Sequence, residues 1–307
     1  MNAPRAYCEI QDLSAMLVVL MRGRKVDNGS YYIHIGDLMW WLYYPPLEGE
    51  FWDYIYLWDD PESPGRLLGW ALISPELVGV DVYLQPELLG SPSAREMYLW
   101  AEEQAVSIAY GHHRKTISMA WVRHDDAVLT GHLTQRGFRL GRGMMQFQHR
   151  LDEPLPRVKL ADGFILRGCM GEPEVAARAK AQYGAFGSFA PFERYLQRFT
   201  NFMRSPVYQP VQDIVAVAPD GQIGAFCIVW TDPVNKVGLF EPVGTHPDFQ
   251  RKGLGRAVML EGLTRLQNEG MQTAIVATGE DHLMAIKFYE AVGFQAVQKL
   301  GTYEKEV

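Results

Sequence analysis

One order of predicted strands and helices occurs twice along this chain, and this internal repeat constrains the fold more than any other feature. In both halves a strand leads through a short turn into a long helix, and a further strand and helix follow. Two signatures mark corresponding places: Gln85-Pro86-Glu87 matches His246-Pro247-Asp248, and Gly137-Phe138 matches Gly293-Phe294. A repeat this long exceeds the period of a solenoid, which is roughly 20–50 residues. The chain is therefore predicted to contain two copies of one domain.

A proline-containing segment separates the two halves. Residues 151–157 contain two prolines and mixed charges without hydrophobic periodicity, a pattern typical of a linker. We predict a first domain over residues 1–152, a linker over 153–160 and a second domain over 161–307. A chain of 307 residues has the length of one large or two ordinary domains.

Hydrophobic periodicity and turn residues predict the elements of both halves. In the first half, strands are predicted over residues 51–58, 66–73, 78–84, 116–121 and 145–150, and helices over 94–109 and 126–135. In the second half, strands are predicted over residues 164–167, 214–218, 223–231, 237–245, 273–277, 294–299 and 302–306. Helices are predicted there over residues 173–183, 192–203, 253–268 and 282–291.

Composition limits the classes of function. The apolar fraction of 48% is ample for a packed core, and the formal net charge of −7 argues against nucleic acid as the main partner. Cys8, Cys169 and Cys227 lie far apart, so we expect reduced thiols in a cytoplasmic protein. The first residues lack a signal-peptide pattern, and no apolar run approaches the roughly 20 residues that cross a bilayer. We therefore expect no membrane partner.

Several histidines of the first half do not form a metal-ligand pattern. His112, His113, His124 and His132 have no carboxylate or cysteine at ligand spacing. We therefore predict no metal site.

A glycine-containing turn between a predicted strand and a predicted helix is the clearest functional motif. Residues 250–256 read Gln-Arg-Lys-Gly-Leu-Gly-Arg. The first turn of a helix leaves amide groups unpaired and carries a partial positive charge, and glycine lets an anion approach those amides. The turn therefore predicts a phosphate-binding loop. A Walker loop needs Lys-Ser/Thr after the last glycine and a dinucleotide fingerprint needs a third glycine, so neither matches.

Two motifs of the second half resemble those of the GNAT superfamily of acyl-CoA-dependent N-acyltransferases. One runs from Val243 to Gly255 and the other from Ala285 to Phe294, and the resemblance covers most of residues 161–307. It implies an α+β fold with two GNAT-like domains, each a mixed, mostly antiparallel central sheet flanked by helices and splayed at the CoA site. Tandem members include the mycothiol synthases, which this chain resembles in architecture only.

The resemblance implies that acetyl-CoA is the cosubstrate and that the second half binds it. The amides of the glycine turn would hold the pyrophosphate, and the pantetheine arm would pair with the preceding strand. Pro242 independently supports an open strand there, because proline cannot donate to a sheet ladder and is typical of edges and bulges. The residues predicted to contact the cosubstrate are Val243, Gly244, Thr245, Gln250, Arg251, Lys252, Gly253, Leu254, Gly255, Arg256 and His282.

Tyr289 and Glu241 are the predicted catalytic residues. Many members of the superfamily place a tyrosine at the position of Tyr289 as the general acid for the CoA thiolate; a packed aromatic ring is the alternative. Glu241 is the predicted base, because a mid-strand carboxylate is costly to bury. Strand alternation would put it on one face with Val243 and Thr245. The alternatives are a purely structural role for this carboxylate and, separately, His246 as the base.

The first half lacks the corresponding residues. Pro92 stands opposite Gly253, and proline has no amide hydrogen for an anion cradle. Leu133 stands opposite Tyr289. We therefore predict that this half does not bind CoA and is structural or shapes an acceptor pocket between the domains. The aromatic segment 31–44 is expected mainly in the core, with an acceptor pocket or a dimer surface as alternatives.

The predicted activity is transfer of an acetyl group from acetyl-CoA to a primary amine of a small molecule or peptide. The amine would attack the thioester directly in a ternary complex. The alternatives are a non-catalytic acyl-CoA binding or sensing module and a scaffold that has lost CoA binding. We expect a cytoplasmic monomer or homodimer without a nucleic-acid partner. The sequence specifies neither the acceptor nor the acyl chain length.

Overall fold

The strands of the computed structural model join in a single mixed sheet with helices on both faces. The structure describes residues 3–27, 31–44, 54–75, 78–188 and 190–307. The strands are β1 (Arg5–Ala6), β2 (Ile55–Asp59), β3 (Leu67–Ser74), β4 (Gly79–Leu84), β5 (Thr116–Arg123), β6 (Arg139–Arg150), β7 (Ile165–Gly168), β8 (Asp213–Val217), β9 (Ile223–Asp232), β10 (Val237–Thr245), β11 (Thr273–Gly279) and β12 (Gln295–Glu306). The helices are α1 (Glu9–Arg24), α2 (Ile35–Tyr43), α3 (Pro92–Gly111), α4 (Ala127–Gln135), α5 (Val175–Phe186), α6 (Phe192–Met203), α7 (Leu254–Asn268) and α8 (Leu283–Val292).

Most predicted elements are found within a few residues of their predicted bounds, with the following differences. The strand predicted over residues 51–58 begins at Ile55, and residues 51–53 lie outside the described part of the chain. The two predicted closing strands are wrong, because β12 is continuous and a bulge between Gly301 and Tyr303 absorbs the irregular step. Helices α1 and α2 and strand β1 were not predicted, and β6 begins at Arg139, six residues before its predicted start. No helix among the described residues is long and apolar enough to cross a membrane.

The sheet is mostly antiparallel and contains two short parallel pairs. The strand order is β1-β2-β3-β4-β5-β12-β6-β11-β10-β9-β8-β7. The pairs β4/β5 and β10/β11 are parallel. The β10/β11 ladder covers only Val237 to Leu239, and the β4/β5 ladder only Gly79 and Val80. The strands separate beyond these ladders, so each half is splayed at the corresponding place, which confirms the predicted fold class.

The two halves exchange their last strands. Strand β6 of the first half lies between β12 and β11, and it pairs with β11 from Thr273 opposite Arg150 to Gly279 opposite Met144. Strand β12 of the second half lies between β5 and β6. Phe147 of β6 is fully buried in the core that α7 and α8 form on the second half. The domain boundaries remain a prediction, because the continuous sheet offers no gap at which to place them.

Helix α2 of the first half is packed on the second half. A Cβ atom on Gly36 would lie 2.4 Å from Cγ of Trp230 in β9, so only glycine permits this approach. The His34 ring, which caps α2, contacts the carbonyl oxygen of Val237 through Nε2 at 3.1 Å. Trp40 is buried in the core formed with α5 and α6, as expected for much of the aromatic segment. The position of α2 is therefore set by β9 and β10.

We expect Phe147→Ala to destabilise the second half although the residue belongs to the first. Removing a fully buried phenylalanine should lower the free energy of unfolding by about 3–5 kcal/mol. Hydrogen exchange should accelerate at the amides of β11, which pairs with the same strand. Phe186→Ala is the matched control, because that ring is 53% exposed and should cost far less. A loss below about 1 kcal/mol for Phe147→Ala would contradict the strand exchange.

Candidate active site

The first turn of α7 has the geometry of an anion cradle. Gly253 is its N-cap residue at φ 78° and no side chain caps the helix. Arg251 also adopts a left-handed conformation, at φ 61°. Within the described residues, no acceptor is paired with the amides of Leu254 and Gly255, which therefore remain available to an external anion. A Cβ atom on Gly255 would lie 2.9 Å from Oγ1 of Thr245, so glycine also lets α7 start close to β10.

The corresponding turn of the first half is closed by its own side chain. Ser91 is the N-cap of α3, and its Oγ accepts a hydrogen bond from the amide of Ala94 at 3.1 Å. Pro92 is the first helical residue and has no amide hydrogen to offer. The same strand, turn and helix are present in both halves, but in α3 Pro92 has no amide hydrogen and the Ala94 amide is taken by Ser91, whereas the amides of Leu254 and Gly255 in α7 are available.

The basic side chains near the α7 turn differ in exposure and in hydrogen bonding. Arg251 and Lys252 are exposed, and Lys252 Nζ lies 5.0 Å from the centre of the Phe249 ring. The Arg256 guanidinium instead donates a hydrogen bond to the carbonyl oxygen of Ala291 at the end of α8. Arg251 and Lys252 can therefore supply charge to a bound phosphate, whereas the Arg256 side chain joins two helices.

Strand β10 carries a bulge immediately before the turn. Its register with β9 shifts between Phe240 and Val243, so that Glu241 and Pro242 form the irregular step. The parallel ladder with β11 ends two residues earlier, at Leu239. Together these features open a wedge between β10 and β11, as the proline predicted.

The bulge also corrects the predicted arrangement of side chains along β10. Glu241 lines a cavity together with Leu239, whereas Val243 packs in the core with α7 and α8. The Thr245 hydroxyl faces Gly255 of α7. The prediction that Glu241, Val243 and Thr245 share one face is therefore wrong, because the extra residue of the bulge shifts the alternation.

Glu241 has the surroundings of a carboxylate that can change protonation near neutral pH. Its side chain is half-buried and forms no hydrogen bond or ion pair with any described residue. Its backbone carbonyl oxygen accepts a hydrogen bond from Trp230 Nε1 at 2.7 Å, which holds the bulge in place. Burial and, secondarily, the charge of Asp37 raise the pKa of Glu241 to about 8. A carboxylate without a structural partner agrees with the predicted base better than with a structural role.

Tyr289 lies on α8 with its ring in the core of the second half. The ring centres of Phe147 and Phe288 are 5.9 and 5.5 Å away. Burial, followed by the nearby charge of Glu241, raises the pKa of its hydroxyl, which therefore stays protonated at neutral pH. Among the described residues no group hydrogen-bonds this hydroxyl. The ring is packed, but the hydroxyl is not satisfied by the protein.

Two histidines considered from the sequence lie apart from this pair. His282 is the exposed N-cap residue of α8, and its Nδ1 is 3.3 Å from Oγ1 of Thr278. His246 accepts the amide of Asp248 through Nδ1 at 3.3 Å and packs on Gly184, so it is engaged in its turn. Of the titratable side chains considered on this strand, Glu241 is the one that lines the cavity.

The cavity lies between the two halves and has a volume of about 630 Å³. The second half contributes the middle of β10 and β11, and the first half contributes α2, the end of β5, the start of α3 and α4. Tyr32, Asp37, Tyr98 and Trp121 form part of its wall, and the sequence did not single them out. The aromatic segment 31–44 was a weak signal for two of them, whereas Tyr98 and Trp121 come from elements that converge only in the folded chain.

Comparison with known proteins agrees with this geometry. Residues 181–294 match the model of the acetyltransferase (GNAT) family. The mycothiol acetyltransferase of Nocardia farcinica is 28% identical over 239 residues, which cover 76% of this chain and 77% of that protein. The mycothiol acetyltransferase of Streptomyces coelicolor is 27% identical over 235 residues, which cover 75% and 73%.

Solved structures share the fold over the whole chain. A tandem GNAT protein from the clavulanic acid biosynthesis pathway superposes with a TM-score of 0.69 at 16% identity, covering 99% of this chain and 97% of that one. A GCN5-related N-acetyltransferase from Sphaerobacter thermophilus superposes with a TM-score of 0.64 at 19% identity, covering 99% and 95%. The family motifs, the relatives and the duplicated fold agree, and they imply acetyl-CoA as the cosubstrate of an acyltransferase. The second half therefore carries a GNAT-family acetyltransferase domain, and the whole chain has the fold of a tandem GNAT protein.

Proposed function

We propose that the protein transfers the acetyl group of acetyl-CoA to a primary amine by direct attack in a ternary complex. The observation that carries this proposal is the position of Glu241. It lies where β10 and β11 separate, and it lines the cavity between the halves. Its charge also contributes to the raised pKa of the Tyr289 hydroxyl. Glu241 and Tyr289 would thus be near enough to serve one reacting centre as base and acid.

The second half alone is proposed to bind the cosubstrate. The amides of residues 251–256 would hold the pyrophosphate, with added charge from Arg251 and Lys252 and contacts from Gln250 and His282. Val243, Gly244 and Thr245 would contact the pantetheine arm along the edge of β10. The closed turn at Ser91 supports the proposal that the first half has no corresponding site. The first half would instead provide most of the acceptor cavity.

Glu241 is proposed as the general base. An alkylammonium has a pKa of roughly 10, so the amine must lose a proton before its nitrogen can attack. The carboxylate of Glu241 would take that proton, either directly or through one water molecule. The nitrogen would then form a bond to the thioester carbonyl carbon. The raised pKa of Glu241 favours this role, because a base works best when its pKa is near the working pH.

Tyr289 is proposed as the general acid. As the carbon–sulfur bond breaks, the Tyr289 hydroxyl would donate its proton to the leaving sulfur. The products would be the N-acetylated amine and CoA with a free thiol. An amide of the bulged segment near Val243 would stabilise the negative charge on the carbonyl oxygen. The high pKa of Tyr289 keeps it protonated and therefore able to act as an acid.

The acceptor is proposed to be a small molecule that fills the cavity between the halves. A volume of about 630 Å³ falls within the range typical of small-molecule sites. The names of the relatives make a mycothiol-related amine one candidate to include in an acceptor panel. Amine-dependent release of CoA thiol is the direct test of the proposal. Binding of acetyl-CoA without release across the panel would favour a sensing module.

Gly253→Ala should weaken acetyl-CoA binding at least about tenfold by calorimetry, because a methyl group would enter the cradle. Gly270→Ala is a matched control on the other end of α7. Both glycines adopt φ 78° and neither has a neighbour within 4 Å of an added Cβ atom, so the backbone strain is the same. Equal affinity losses in the two variants would count against the cradle.

The pH profile of kcat/KM should rise with a first midpoint near pH 8. The base acts only when deprotonated, and the pKa of Glu241 is about 8 in the free protein. Glu241→Gln should remove this rise and lower kcat on the order of 10²–10⁴-fold. Glu290→Gln, at an exposed position on α8, is the control and should keep both. A Glu241→Gln enzyme with normal kcat would exclude this base.

Tyr289→Phe should lower kcat on the order of 10²-fold and leave KM for the amine nearly unchanged. The variant keeps the ring packing in the core and loses only the proton donor. Tyr303→Phe is the control, because this tyrosine is similarly buried but lies in the core of the first half. If both variants keep a thermal stability close to the wild type, a lower kcat of Tyr289→Phe reflects the loss of the proton donor. An unchanged kcat would exclude Tyr289 as the general acid.

A further inference from the structure

A second carboxylate, from the first half, lines the cavity together with Glu241. Asp37 lies in the first turn of α2 and is 6% exposed. Its Oδ2 accepts a hydrogen bond from the amide of His34 at 2.8 Å. Asp37 and Glu241 line the same cavity although they come from different halves of the chain.

The placement of Asp37 relative to Glu241 is set by packing rather than by a flexible loop. His34 accepts the amide of Gly36 at 2.9 Å through Nδ1, so its Nε2 carries the proton that bonds the Val237 carbonyl oxygen of β10. Gly36 lies against Trp230 of β9 without room for a side chain. The start of α2 is therefore attached to the strand that carries Glu241.

Burial raises the pKa of both carboxyl groups at this end of the cavity, that of Glu241 to about 8 and that of Asp37 to about 7, so each can change its charge near neutral pH. The buried Arg24 lies close enough to act on Asp37, but its guanidinium contacts Asp232 at 3.3 Å and donates to the Ile33 carbonyl oxygen at 2.6 Å. No lysine or arginine among the described residues pairs with Glu241. A cation placed between two neighbouring carboxyl groups favours their ionised forms, so the pair can hold a positively charged group.

The cavity contains further charged groups on other elements, among them one ion pair. Arg123 of β5 holds Asp125 with an Nη2–Oδ2 distance of 2.8 Å. Asp126 caps α4 by accepting the amide of Leu129, and Arg95 acts on His132 from α3. Neither Arg95 nor Arg123 forms an ion pair with Glu241.

The remaining wall of the cavity is largely aromatic and aliphatic. Tyr32, Tyr98 and Trp121 contribute rings, and Leu239 and Ile275 contribute aliphatic surface beside Glu241. The Tyr32 hydroxyl is bound to Asp81, so this ring presents little free polar surface. Such a wall favours a flat or apolar body over a strongly polar one.

We infer that the acceptor is a primary amine on an aromatic or apolar body, with no carboxylate next to its nitrogen, and that its ammonium group enters between Glu241 and Asp37. This inference rests on the proposed function and narrows its acceptor class. Asp37 is a binding residue that attracts the cation, and Glu241 receives the proton. A carboxylate on the neighbouring carbon would lie against both acidic side chains and would be repelled.

Three matched compounds test the inference on the wild-type protein. 2-Phenylethylamine, L-phenylalaninamide and L-phenylalanine share the amine and the phenyl ring, and they differ in the group next to the nitrogen. With acetyl-CoA and a thiol assay, we expect the first two to have similar kcat/KM and L-phenylalanine to be lower by about 100-fold. Equal or better use of L-phenylalanine overturns the inference.

Asp37→Asn tests the contribution of the first half. We expect the discrimination against L-phenylalanine to fall to about 10-fold or less, and KM for 2-phenylethylamine to rise while kcat is kept. Asp162→Asn, at an exposed position just before β7, is the matched control and should retain the wild-type ratio. A folded Asp37→Asn variant with unchanged discrimination removes Asp37 from acceptor binding. The wild-type comparison of the three compounds decides the acceptor class even if this variant does not fold.

Failure of this inference is distinguishable from failure of the proposed function. Thiol release with a mycothiol-related or other polar amine, but with none of the aromatic compounds, overturns the aromatic acceptor and leaves acetyl transfer intact. Acetyl-CoA binding without thiol release for any amine overturns both.

Discussion

The exchange of β6 and β12 is the constraint on which the rest of the structure depends. Because each half completes its sheet with the last strand of the other, the two sheets continue into one. The halves therefore cannot separate without breaking ladders on both sides of β6 and β12. A cavity between two loosely linked domains would vary with their orientation. Here its walls are held by one hydrogen-bonded sheet and by the attachment of α2 to β9 and β10.

The bulge at Glu241 and Pro242 converts this rigid sheet into a site. A regular β10 would continue its ladder with β11 and leave no opening between them. The irregular step ends that ladder early and turns Glu241 toward the cavity, while Val243 and Thr245 face α7 and α8. Because of this one extra residue, the side chains of β10 point in two directions, one toward each proposed substrate. The side of β10 toward the first half would meet the amine, and the side toward α7 would meet the cosubstrate.

Both halves contain the same strand, turn and helix, but the turns differ in which residues begin the helix. In the second half, Gly253 caps α7 without a side chain, so the first amides stay available. In the first half, the Ser91 hydroxyl accepts a hydrogen bond from the amide of Ala94, and Pro92 has no amide hydrogen. An internal hydroxyl therefore takes the place that an external anion would take. The groove beside α3 and α4 consequently forms part of the cavity wall, which supports an acceptor role for a half proposed not to bind CoA.

The sequence by itself determined the duplicated architecture, the family, the glycine turn and the bulge at Pro242, because each follows from local backbone chemistry or from spacing along the chain. It also singled out Glu241 as a mid-strand carboxylate without an evident structural reason. The tertiary structure alone decided three features. These are the exchange of β6 and β12, the face on which Glu241 lies, and the approach of Asp37, Tyr98 and Trp121 to the cavity. Strand alternation fails across a bulge, and contacts between residues far apart in sequence depend on which sheet edge each strand reaches. Neither property is encoded in a local pattern, so the cavity and its second carboxylate became visible only in the folded chain.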